Sequence, residues 1–75
     1  MLRQNPILPI IEKALGTPCG FSEDRRKVYF SVEETVENVR SALVDACKEI
    51  PDNINVDATF YVLPSYGRTI VQLDN

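Results

Sequence analysis

The stretch KVYFSVEETVENVRSALVDACKEIP, Lys27 to Pro51, decides the fold, because the spacing of its apolar residues changes once along its length. In Lys27 to Phe30, Val28 and Phe30 face one way and Tyr29 the other, the two-residue period of a short strand. From there Val32, Val36, Val39, Leu43, Ala46 and Ile50 recur at steps of four, three, four, three and four, a stripe along one face of a helix. Ser31, Val32, Glu33 and Glu34 spell an S-x-x-E capping box, in which the Ser31 hydroxyl and the Glu34 carboxylate satisfy each other's free backbone amides. The pattern predicts a helix over Ser31 to Ile50, stopped by Pro51, which disfavours helical geometry in the residue before it.

Toward the N-terminus, Asn5 as cap, Pro6 in the first turn and Gly16 as C-terminal cap predict a short helix over Pro6 to Leu15. Pro9 removes one helical amide, which moves the regular part toward Pro9 itself. Thr17 to Arg25 reads as a loop. Toward the C-terminus, Asp52 and Asn53 make a turn, and Ile54, Val56, Ala58, Phe60 and Val62 alternate with more polar neighbours as a half-buried strand over Ile54 to Leu63. Pro64 to Gly67 is a turn with positive φ expected at Gly67, and Arg68 to Leu73 is the last strand.

The expected fold class is α+β, with the order α-β-α-β-β. A single domain over 1–75 holds a short N-terminal helix within 1–16 and a β-α-β-β core over 26–73. Its three-stranded, largely antiparallel sheet carries the helix 31–50 on the face of Val28, Phe30, Val56, Phe60 and Val62. A chain of 75 residues is near the lower limit for a self-sufficient core, so association with another surface would add stability.

Composition excludes several classes. Apolar residues make up 44% and charged residues 25%, the balance of a globular domain rather than a disordered or membrane-embedded one. The longest apolar run, Ile7 to Ile11, is broken by Pro9 and falls far short of the roughly 20 residues of a membrane span. No secretory leader pattern is present, so the expected location is cytoplasmic. The net charge of -3 divides into +2 over residues 1–30, from five cations and three acids, and -5 over residues 31–75, from three cations and eight acids. That balance weighs against nonspecific nucleic-acid binding, which needs several Lys and Arg contacts to phosphates.

Chemistry is scarce. With no His, the Ser-His and Cys-His nucleophile pairs and the commonest metal ligand are missing. Cys19 and Cys47 are too far apart for a C-x-x-C pair; Cys47 reads as a small core residue, Cys19 as a loop residue under Phe21, and both as free thiols. Glu33, Glu34 and Glu37 crowd a helix N-terminus, where the helix dipole alone explains them. No catalytic, cofactor or metal site is expected.

The informative feature is a surface. If Val28 and Phe30 face the long helix, then Tyr29, Tyr61, Leu63 and Ile70 point the other way, and these are not side chains suited to water. Either the N-terminal helix folds over that face with Ile7, Ile11 and Leu15, or another chain covers it. Arg25, Arg26 and Lys27 are explained by protection of a strand edge or by contact with an anionic partner. The sequence therefore points to a noncatalytic protein-protein interaction module, of the size class of small accessory or inhibitory proteins of phages and mobile elements. Tyr29, Tyr61, Leu63 and Ile70 would dock on a larger protein, with Arg25, Arg26 and Arg68 at the rim. Self-assembly through the same face is the second reading, and RNA binding through the sheet aromatics a remote third.

Overall fold

The chain enters the fold through a turn at Asn5, whose carbonyl accepts from the Leu8 amide at 3.2 Å and whose Oδ1 accepts from the Ile7 amide at 3.1 Å. The computed structural model describes residues 5–50 and 54–75. Helix α1 is Leu8–Leu15, starting two residues later than the sequence suggests. Asn5 therefore caps the preceding turn, not the helix. The late start accommodates Pro9 in the first helical turn, where amides lack an intrahelical partner in any case. Gly16 closes α1 with φ of 67°, donating its amide to the Glu12 carbonyl, as its position implied.

The region read as a loop contains a two-residue strand, β1 (Gly20–Phe21), paired antiparallel with β2 (Lys27–Val32). The turn between them is held by short side chains. Ser22 Oγ donates to Asp24 Oδ1 at 2.7 Å and accepts from the Lys27 amide, while Asp24 Oδ1 also accepts from the Arg26 amide. This pairing makes the sheet four-stranded where three strands were expected, and a strand of two residues leaves no period to read in the sequence.

Beyond β2 the expected helix boundary is wrong. Ser31 lies inside β2, and β2 stays paired as far as Val32 opposite Thr69. Thr69, almost wholly buried, donates its hydroxyl to the Glu34 carbonyl at 2.7 Å and so fixes the strand-to-helix bend. Helix α2 then runs Val36–Cys47, with Thr35 as N-cap accepting from the Asn38 amide at 3.1 Å. Glu34 accepts from Asn38 Nδ2, so the S-x-x-E capping box does not form. Past Cys47 the chain tightens into bonds from Glu49 to Ala46 and from Ile50 to Cys47, spaced three apart, which still bring Ile50 into the core. The Pro51 stop and the Asp52–Asn53 turn lie outside the described residues.

The expected strand 54–63 does not form as one strand. Asn55 accepts from the amides of Asp57 and Ala58, capping a single helical turn, α3 (Val56–Thr59). An Asn cap with Asp in the first turn outweighs the apolar alternation here. The strand β3 begins only at Tyr61 and ends at Ser65. Tyr66 and Gly67 turn it into β4, Arg68–Asp74, with Gly67 at φ 78° as expected and Tyr66 at φ 47° in addition.

The sheet order is β1-β2-β4-β3, antiparallel throughout. Val28, Phe30 and Val32 of β2 sit opposite Leu73, Val71 and Thr69 of β4, with Val62 of β3 beside Val71. These inner positions join Leu8 and Ile11 of α1, Val39, Leu43, Ala46 and Cys47 of α2, and Phe60 in one buried cluster. Both α1 and α2 thus belong to the inner side. Among the described residues, no helix is long and apolar enough to cross a membrane.

Candidate functional site

The antiparallel register dictates what the other side of the sheet carries. Side chains alternate along each strand, so the partners Lys27–Asp74, Tyr29–Gln72–Tyr61 and Ser31–Ile70–Leu63 form three cross-strand rows on the outer face. Arg68 and Ser65 make a fourth row at the hairpin end. Four of the residues expected to form an interaction surface, Tyr29, Tyr61, Leu63 and Ile70, therefore share one face. Tyr61 is 65% exposed, Leu63 54% and Tyr29 37%, while Ile70 between them is half-buried. The alternative in which α1 covers this face does not occur, because Ile7, Leu8 and Ile11 are buried in the inner core.

Charge brackets the patch. At one end Lys27 Nζ pairs with Asp74 Oδ1, and this contact raises the Lys27 pKa above its ordinary value, by the hydrogen bond first and the carboxylate charge second. At the other end the Arg68 guanidinium reaches across β2. Its Nε donates to Ser31 Oγ at 2.7 Å, Nη1 to Glu33 Oε1 at 2.6 Å and Nη2 to the Ser31 carbonyl at 3.2 Å. Arg68 is thus a clamp between β4 and β2 as well as a rim residue. Both ends are internally neutral, and the uncharged surface between them is made of Tyr29, Tyr61, Ile70 and Leu63 around Gln72 and Ser31.

The other two rim residues lie elsewhere. Arg25 is in the β1–β2 turn at φ 59°, with its guanidinium 5.1 Å from the centroid of Phe21. Phe21 pairs with Val28 and packs on the inner core, so Arg25 belongs to that side. Arg26 is exposed in the same turn. The backbone carbonyls of both arginines accept from Asn75, whose Oδ1 accepts in turn from the Asn5 amide. Of the three consecutive cations, Arg25 and Arg26 therefore belong to the β1–β2 turn, and Lys27 is the one at the end of the aromatic face.

Sequence reasoning missed Tyr66. It is fully exposed and has positive φ, an uncommon conformation for a bulky residue. It stands over an open groove of about 490 Å³ lined also by Glu33, Thr35, Pro64 and Arg68. The signal was Tyr-Gly in a two-residue hairpin loop, where Asn-Gly is the usual pair.

Both thiols are free, Cys47 buried and Cys19 half-buried. Burial raises the Cys47 pKa; for Cys19 burial does so first, and the charge of Glu12 adds to it. No three His, Cys, Asp or Glu side chains converge as a metal site among the described residues. Compared with protein-family models, characterised proteins and solved structures, the chain matches none.

Proposed function

We propose that this chain is a noncatalytic protein-interaction module that makes its contact through the outer face of the sheet. One observation carries the reading: Tyr61 and Leu63 stand exposed beside Ile70 and Tyr29 on a face that no helix among the described residues covers. Aromatic anchors with Arg at the margin are the residue types that supply most binding energy in protein interfaces. The remote reading as an RNA-binding sheet loses support from the charges, since Lys27 and Arg68 are already engaged by Asp74 and Glu33.

A photoreactive amino acid placed at Tyr61 tests the reading against one placed at Asp45 on α2. Crosslinks to protein from position 61, with few from position 45, are the expected result. Crosslinking only from position 45 would transfer the contact to the acidic helix.

A further inference from the structure

Resting on that reading, we propose that the partner of the outer face is a second copy of this chain, packed face to face about a two-fold axis that runs across the strands. The placement of charge on the face matches a second copy. Strand β2 leads into a cation at one end, Lys27, and into an acid at the other, Glu33, whereas β4 carries the acid Asp74 and the cation Arg68 in the reverse order. The pattern is therefore antisymmetric about the midline between the Tyr29–Gln72–Tyr61 row and the Ser31–Ile70–Leu63 row.

An axis along that midline stacks β2 on β2 and β4 on β4 of the second copy, with the strand directions reversed. Lys27 then faces Glu33 of the second copy, and Asp74 faces Arg68 of the second copy. Each end becomes an alternating square of four charges, because the pairs inside each chain persist. Tyr61 meets Leu63 of the second copy, and the symmetry repeats that contact. A two-fold axis along β4 instead sets Arg68 on Arg68 and Asp74 on Asp74. One between β2 and β4 keeps opposite charges together but lays β3 over the two-residue β1, so of the three the axis across the strands both matches charge and buries Tyr61 against Leu63. A C2 interface requires just such self-complementarity. Stacked sheets pack about 10 Å apart, and the product is a four-layer sandwich with helices outside.

A small face limits the strength. Three strands about 4.8 Å apart and about seven residues long present a face of roughly 15 by 24 Å, below the ~800 Å² per partner of a standard stable interface. The dimer is accordingly weak and reversible, formed between about 10 µM and 1 mM.

Sedimentation equilibrium over that range, on the full chain, provides the test. The wild type is expected to pass from monomer to dimer. Lys27→Glu and Glu33→Lys, each alone, oppose like charges twice across the axis and should associate at least about tenfold more weakly. An equimolar mixture of the two restores opposite charges at both positions and should recover the dimer, an outcome that misfolding of either variant cannot produce. A wild type monomeric to 1 mM would overturn the second copy as occupant. The crosslinking pattern of positions 61 and 45 would still decide the wider reading of the face. A dimer indifferent to both single changes, or a mixture that fails to recover, would overturn the proposal equally.

Discussion

Thr35 carries the start of the long helix, and its cost of removal should show it. Thr35→Ala loses the hydroxyl that accepts from the Asn38 amide and is expected to cost roughly 0.5 to 2 kcal/mol in denaturant melts, with a smaller effect for Ser31→Ala. Equal losses would contradict the assignment of the cap. At Tyr66, positive φ strains a bulky side chain, and Tyr66→Asn should raise stability by about 0.5 to 1 kcal/mol while keeping the hairpin. Lower stability in that variant would mean that Tyr66 makes contacts beyond the turn.

The pH dependence also belongs to single residues. Lys27 and Cys47 have raised pKa values, so their contributions are complete below 10.5 and 9.0 respectively and decline as pH rises toward the folded values. Asp24 has a lowered pKa, held down first by the Ser22 hydroxyl, so its contribution is complete above 3.8 and is lost as pH falls through the folded value. Thermal melts should therefore show an alkaline decline beginning near pH 9, and Cys47→Ala should flatten its first part despite a lower overall stability. An unchanged alkaline limb in Cys47→Ala would assign it to Cys19 or Lys27.

At the scale of elements, the sheet protects its edges while leaving its outer face bare. In the two-residue hairpin closed by Ser65 and Arg68, the alternation of bonded and non-bonded pairs turns the backbone groups of Pro64 and Val62 toward the free edge of β3. Pro64 has no amide to offer, and the Phe60 amide is already bonded to Val56. That leaves the edge with little for an incoming strand. Pro64→Thr restores a donor and should increase slow light scattering at high protein concentration; unchanged scattering would show that the edge is shielded by something else.

Periodicity revealed the parts of the fold that repeat. Val28 and Phe30 on β2, and Val39, Leu43 and Ala46 on α2, were legible because burial on one face imposes a period. The boundaries were not, because each depends on a partner distant in sequence. Ser31 and Val32 remain in a strand through their opposition to Ile70 and Thr69, which no local motif announces. Asn55 and Asp57 matched both the polar side of a strand and the first turn of a helix, and the Asn55 cap decided between them. The aromatic face was legible from alternation alone, since Tyr29, Tyr61, Leu63 and Ile70 have the opposite parity to the core residues. Its charges were not, because Lys27–Asp74 and Arg68–Glu33 join residues far apart in the chain.

At the scale of the whole molecule, two helices lie on the inner side of a four-stranded sheet and the outer side carries a tyrosine row and an Ile70–Leu63 row between neutral ends. A contact there should outlast added salt, because apolar burial is not screened, although the charged ends make it weaken by degrees. The double change Tyr29→Ala and Tyr61→Ala should lower affinity for the partner by at least about tenfold with the fold intact, whereas charge reversal at Glu37 and Asp45 on α2 should have far less effect. Amide chemical shifts recorded by NMR from about 10 µM to about 1 mM protein address the contact surface most directly. If the outer face binds a second copy, shifts should move with concentration along Tyr29 to Ser31, Tyr61 to Leu63 and Ile70 to Gln72, while the exposed positions of α2 stay fixed. Movement centred on Glu37, Ser41 and Asp45, or shifts that stay constant over the whole range, would contradict it.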